Sequence, residues 1–197
     1  MDITFLIDAS GSVGTANFNI EKEFVRNVLR ELNFEFRAIC AVVIAYSDLA
    51  EIAVTFDQSS NFKNFDKALD LIKYVGRTSR IDKALCKANS VIFNYKRGMR
   101  RNVAKIIVLV TDGRQSSAPD ALPLREAAFS LRRKGIGVLA VGVGEGIDMT
   151  ELKEITSSHS LVTRVRTFDQ LLAATKQVSE KVCEMAGKSF NLSLSSF

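Results

Sequence analysis

Three features of the 197-residue sequence predict an α/β fold built on a mostly parallel central sheet. Short apolar runs at Ile3 to Ile7, Ile106 to Val110 and Ile136 to Val143 have the composition of strands buried on both faces. Segments with apolar residues at helical spacing separate them, and strands alternating with helices are the pattern of parallel sheets. The hydrophobic residues, 47% of the chain, are dispersed rather than concentrated, and this length allows one domain with a sizeable core. The expected architecture is therefore Rossmann-like and doubly wound, with helices flanking the sheet and one antiparallel edge strand.

Each element follows from local pattern. Phe18, Ile20, Phe24, Val25, Val28, Leu29 and Leu32 recur at helical spacing and predict a helix from about Thr15 to Asn33. Ala38 to Tyr46 reads as a buried strand, and Ala50 to Phe56 as a second one just beyond Ser47-Asp48. So short a connection permits only an antiparallel pair, which makes the second an edge strand. Phe62 to Val75 and Ile81 to Tyr95 predict helices separated by Gly76-Arg77-Thr78-Ser79. After the Ile106 to Val110 strand, Pro119 to Lys134 reads as a helix, with Pro123 in its first turn, where a missing amide donor is tolerated. Ile136 to Val143 is the next strand, Met149 to Thr156 a short helix, Leu161 to Val165 a last edge strand and Phe168 to Met185 the closing helix. Residues 1–187 are expected to form the domain, and 188–197, with four serines, a flexible tail.

Asp8-Ala9-Ser10-Gly11-Ser12 follows the first strand directly, and Thr111-Asp112-Gly113 follows the Ile106 to Val110 strand. Either segment alone also suits an ordinary turn or helix cap. In a parallel sheet, however, both lie at the carboxyl edge, where ligands gather. Asp8 and Asp112 would then project from one edge, and two carboxylates held close without a cation repel each other. The hydroxyls of Ser10 and Ser12 add hard oxygen donors, the ligand chemistry of Mg²⁺. A divalent-cation site with an open face is the economical reading.

Taken together, Asp8 to Gly14, the Thr78-Ser79 loop and Thr111-Asp112-Gly113 resemble the metal-ion-dependent adhesion site of von Willebrand factor type A domains. The resemblance covers roughly Asp2 to Ala186 and is strongest to extracellular-matrix members, such as matrilins and collagen A domains, and to integrin I domains. It implies that Ser10 and Ser12 bind the cation through their hydroxyls, that Asp8 and Asp112 act directly or through water, and that the middle loop supplies another oxygen. Counting back from Lys83-Ala84-Leu85 places that oxygen on Ser79, the favoured choice; matching Gly76-Arg77-Thr78 to some integrin I domains selects Thr78. Mg²⁺ is the implied cofactor, with Mn²⁺ or Ca²⁺ as substitutes, and the partner is a matrix or cell-surface protein offering an acidic side chain, with collagen among the candidates. Ser47, Asp48, Arg77, Arg80, Arg114, Gln115 and Ser116, all in loops at the same edge, are the expected ligand rim. The family also implies an extracellular location, so that the chain reads as a fragment without its signal peptide.

The formal charge of +5 comes partly from two clusters. Lys96, Arg97, Arg100, Arg101 and Lys105 precede one strand, and Arg132, Arg133 and Lys134 precede another. Both should lie away from the cation edge, forming either a solvated surface or a face for a polyanion such as sulfated glycosaminoglycan. Nucleic acid is disfavoured by the absence of tryptophan and the scarcity of aromatics suited to stacking. No apolar stretch approaches the roughly 20 residues of a membrane helix. Cys40, Cys86 and Cys183 form no CxxC pair, which argues against structural zinc; Cys183 would pair, if at all, outside this sequence. A phosphohydrolase of the haloacid-dehalogenase type also places Asp after its first strand, but the second acid it needs two residues on is here Ser10. The chain is therefore read as a binding module and not an enzyme.

Overall fold

The computed structural model describes residues 1–34, 39–59, 61–92 and 100–194. Six strands form one sheet: β1 (Asp2–Asp8), β2 (Cys40–Tyr46), β3 (Ala50–Val54), β4 (Lys105–Thr111), β5 (Gly137–Val143) and β6 (Val162–Val165). Their order is β3-β2-β1-β4-β5-β6, and every pair is parallel except β2 with β3. The expected architecture and its antiparallel edge strand are both present.

Side chains alternate across each strand, so the central strands feed two separate cores. Ile3, Phe5 and Ile7 of β1 join Val43, Val108 and Val141 beneath α1 (Gly14–Glu31), α2 (Phe62–Asp70), α6 (Phe168–Ala173) and α7 (Thr175–Leu194). Leu6, with Val42, Ile44, Ile107, Leu109 and Ala140, packs under α3 (Ile81–Lys87), α4 (Leu124–Arg133) and α5 (Met149–Ile155). Double burial explains why β1, β4 and β5 are nearly all apolar.

Four helix expectations need correction. The predicted Phe62 to Val75 helix ends at Asp70, because Gly76 bonds to the Ala9 carbonyl and Tyr74 to the Ser10 carbonyl, drawing the chain across the first motif. The Pro119 to Lys134 helix begins only at Leu124, with Pro123 at its cap and not in its first turn; the Asp120 carboxylate and the Leu122 amide are engaged by Arg80 and Asp82. The closing helix is two, α6 and α7, and α7 runs on to Leu194, so most of the segment read as a tail is helical. The helix begun at Ile81 passes into a π-helical turn at Ala88–Ile92; its expected end at Tyr95 lies outside the described residues. Among the described residues no helix is long and apolar enough to cross a membrane.

Candidate metal centre

Three adjacent strands end side by side, and that places the site. Asp8 is the last residue of β1 and pairs in register with Tyr46, the last of β2, while Thr111 closes β4 on the other flank. Asp8 is fully buried and accepts hydrogen bonds from all sides. Its Oδ1 takes the Ser10 amide at 2.9 Å, and its Oδ2 takes hydroxyls from Thr111 at 3.0 Å, Ser79 at 3.1 Å and Tyr46 at 3.1 Å. Above it Ser10 Oγ lies 3.3 Å from Ser12 Oγ, and the Ser12 hydroxyl donates to Asp112 Oδ1 at 2.8 Å. Ser10 is buried, Ser12 is exposed and Asp112 is half-buried, so the cluster opens to solvent along the Ser12–Asp112 side.

The middle loop is held against this cluster by backbone. Ser10 and Arg77 form a parallel bridge, the Gly11 amide donates to the Arg77 carbonyl at 2.7 Å, and Gly76 donates to Ala9 at 2.8 Å. Gly76 has φ +79°, and a Cβ there would meet the Tyr74 ring at 3.0 Å. Gly76→Ala is therefore expected to lower stability by about 1–2 kcal/mol and to weaken divalent binding. Urea unfolding with and without Mg²⁺ measures both; an unchanged midpoint would show that the loop tolerates the side chain.

The loop brings Ser79 onto Asp8, whereas Thr78 stays exposed and contributes its carbonyl to Ser47. Of the expected rim, Arg77 and Arg114 are each 68% exposed, with Asp48 and Asp148 as their partners. Two others, Ser47 and Arg80, are internal braces, contrary to expectation. Ser47 is buried and joins the Arg77 amide to the Thr78 carbonyl; Arg80 is 4% exposed and bound to Asp82 and Asp120. Gln115 is held by the Asp82 amide and the Leu122 carbonyl. Ser116 accepts the Ser79 amide at 3.0 Å and so fixes the loop from the β4 side.

Glu21, Tyr46 and Thr111 are the residues that sequence reasoning missed. Glu21 comes from α1, is fully buried, and its Oε2 accepts the Asp8 amide at 2.8 Å while Oε1 has no partner among the described residues. Its signal was a carboxylate three residues after Phe18 and four before Val25, on the apolar stripe of the helix. Burial raises the Asp8, Glu21 and Asp112 carboxyls above their ordinary range, and repulsion from Asp8 raises the other two further. Hydrogen bonds from Ser10, Thr111 and Ser79 counter the rise at Asp8, as Ser12 does at Asp112.

A small divalent cation suits this donor set. Among the described residues no three His, Cys, Asp or Glu side chains converge as a metal cluster, so the oxygens on offer are chiefly hydroxyls with two carboxylates. Three neighbouring acidic groups, one with an unpartnered buried oxygen, lack any basic side chain among their described hydrogen-bond partners. A cation would supply the missing positive charge.

The family model described as von Willebrand factor type A domain matches residues 2–177. The chain belongs to this family. The human collagen alpha-6(VI) chain is 31% identical over 170 residues, spanning 86% of this chain and 7% of the relative. Human integrin alpha-D is 30% identical over 197 residues, 95% of this chain and 16% of the relative. This type A domain thus spans less than a fifth of the length of either. Proximal thread matrix protein 1 from the mussel byssus has the same fold, with a TM-score of 0.86 at 24% identity over 92% of this chain and 47% of its own. That mussel protein has also been solved with a zinc-occupied MIDAS motif, at a TM-score of 0.84.

The basic residues stand at the opposite edge, where β4 and β5 begin, and several are engaged locally. Arg100 donates to Asp2, Lys105 to the Val103 carbonyl, Arg132 to the carbonyls of Glu154 and Arg125, and Lys134 to Asn89, while Arg133 lies over the Phe129 ring. Arg101 is exposed; Lys96 and Arg97 lie outside the described residues.

Proposed function

We propose that this type A domain is a metal-dependent binding module of an extracellular matrix or cell-surface protein, which holds an acidic side chain of a partner protein through a divalent cation, Mg²⁺ in the first instance. The hydroxyl-rich edge carries this reading: Ser10, Ser12 and Asp112 meet in a cluster that opens to solvent on the Ser12–Asp112 side, with Asp8 bonded beneath them. Ser10 and Ser12 would hold the cation through Oγ, Asp112 from the β4 side, and Asp8 and Ser79 directly or through water. When bound, the cation supplies positive charge and an exchangeable position that a carboxylate can fill. Neutral hydroxyl ligands leave much of that charge uncompensated, which favours an anionic partner group. Kinship with collagen VI chains and integrin alpha-D supports the matrix or cell-surface setting, and the zinc-occupied motif of the mussel protein supports a divalent ion. No catalytic step is proposed. The single histidine, His159, precedes β6 and so stands at the opposite edge from this cluster.

Calorimetric titration of the EDTA-treated domain with MgCl₂, MnCl₂, CaCl₂ and ZnCl₂ tests the reading. One divalent site is expected, with Asp112→Ala weakening it by about 100-fold or more, beyond the 10–100-fold of outer-shell changes. Retention of matrix protein on the immobilised domain should require the divalent ion and be lost in that variant. Failure to take up any divalent ion would overturn the proposal.

A further inference from the structure

Among the described residues five large apolar side chains stand exposed, and three of them, Leu49 (57%), Leu71 (80%) and Val75 (52%), line one groove of about 510 Å³. The groove runs between β3 and the 71–77 segment. Ala45, Ala53 and Ala68, whose side chains end at Cβ, leave its space. Its far end is formed by Ser47, Asp48 and Arg77, so it is continuous with the loop bridged to Ser10.

The exposure is built in. Along 71–75 burial alternates: Ile72 and Tyr74 pack against the core and are anchored by Lys22 and by the Ser10 carbonyl, which leaves Leu71, Lys73 and Val75 turned outward. The charges lining the groove balance, Asp48 and Glu51 against Lys73 and Arg77, so nothing there selects an ionic occupant. What remains is apolar surface beside a cation edge. Grouped exposed apolar residues of this kind mark binding grooves.

We propose that this groove is a second half of the ligand site and receives a large aliphatic side chain of the same partner segment whose carboxylate is held at the metal edge. The inference rests on the metal-dependent reading above and names the partner chemistry that goes with it. At about 3.5 Å per residue Val75 lies within roughly 7 Å of Arg77 and Leu71 within roughly 21 Å. Arg77 is bridged to Ser10, about one strand spacing of 4.8 Å further on, so the aliphatic residue falls within about eight positions of the acidic one in an extended partner segment.

The test uses the ¹⁵N-labelled domain and unlabelled Gly/Ser peptides containing one Glu, one Leu, or both at successive spacings, titrated in Mg²⁺ and in EDTA and followed by amide chemical shifts. A Glu-plus-Leu peptide should bind in Mg²⁺ about tenfold tighter than the Glu peptide, since burying a Leu side chain is worth at least that factor. It should shift Leu49, Leu71 and Val75 as well as Ser12. The variant L71S/V75S should bring its affinity down to that of the Glu peptide while calorimetric Mg²⁺ affinity is unchanged. If Leu adds nothing while the Glu peptide still binds in Mg²⁺ alone, the groove inference is overturned and the metal reading stands. If no peptide binding depends on Mg²⁺, the metal reading fails and this inference with it. Self-association in sedimentation that L71S/V75S abolishes would make a second copy of this chain the occupant and would also overturn it.

Discussion

Arg80→Ala is expected to lower the unfolding free energy by about 3–5 kcal/mol, the cost of breaking a buried ion pair by removing one partner. Arg80 holds Asp82 in a two-pronged bond, Nε to Oδ1 at 2.9 Å and Nη2 to Oδ2 at 2.8 Å, and Nη1 reaches Asp120 at 2.7 Å. The Arg80 and Asp82 side chains are only 5% and 2% exposed, whereas Asp120 is 66% exposed. Truncation would therefore strand the Asp82 carboxylate in the interior, with the backbone amides of Leu122 and Lys83 still bonded to it but no counter-charge. Burial alone would raise Asp82, yet the bonds from Arg80 and Leu122 hold it below the usual carboxylate range. A depressed carboxyl contributes stability above its unfolded value of 3.8, and that stability is lost as pH falls through the lower folded value. The deficit in Arg80→Ala should accordingly shrink as pH falls, beginning above 3.8 because burial without Arg80 raises Asp82, and be smallest below the depressed folded value of the parent, where a neutral Asp82 no longer needs a counter-charge. Thermal unfolding should show a drop of roughly 6–20 °C at pH 7. R80A/D82L, which removes both charges, should recover most of it, because replacing a whole buried pair by apolar groups is often neutral. A single-variant loss below about 1 kcal/mol would place the pair among surface-type bridges. The site should also respond, since Arg80 donates its amide to the Ser47 carbonyl and directly follows Ser79.

This brace also shows where the sequence was readable and where it was not. β1, β4 and β5 were legible because burial on both faces demands near-continuous apolar runs, and the convergence of Asp8, Ser10, Ser12 and Asp112 because hydroxyls and carboxylates at strand ends are a local pattern. Arg80 looked like a rim residue because it sits in a loop; its burial depends on Asp82 and Asp120, and no local pattern encodes a pairing across 40 residues. The overlong Phe62 to Val75 helix has a related cause. Leu71, Ile72 and Val75 extend the helical period, but Tyr74 and Gly76 are drawn to Ser10 and Ala9. Tyr46 read simply as the end of an apolar strand, and only the register with Asp8 gives its hydroxyl a role. Glu21 was hidden by the ordinary expectation that a charged residue in an amphipathic helix faces water.

Glu21 and its neighbours lead to the second large effect: Mg²⁺ should stabilise the domain, and by more at pH 7.5 than at pH 5. Burial, with mutual repulsion, raises the folded pKa of Asp8, Glu21 and Asp112 above the unfolded values of 3.8, 4.5 and 3.8. In that window the native state binds more protons than the unfolded chain, so the contribution of these groups to stability is complete below the unfolded values and declines as pH rises through the folded ones. The cation needs the ionised carboxylates, so its binding releases protons and is favoured in the opposite direction. At a free concentration 100 times its Kd, Mg²⁺ adds about 2.7 kcal/mol, or roughly 5–10 °C in a domain of this size. Melting curves in EDTA should therefore fall between pH 5 and 7.5 relative to those in Mg²⁺, and the gap should widen with pH. Glu21→Gln keeps an acceptor for the Asp8 amide while removing one of the three charges. In EDTA it should melt higher than the parent at pH 7.5, by on the order of 1 kcal/mol for each pKa unit of relieved rise, with a flatter pH slope. Its Mg²⁺ increment should be smaller but present, because Ser10, Ser12 and Asp112 are untouched. A gap between Mg²⁺ and EDTA that stays constant from pH 5 to 7.5 would mean that these carboxyls do not compete with the cation for protons. An unstabilised Glu21→Gln would mean that the Glu21 charge is not opposed by Asp8 and Asp112 in the metal-free domain.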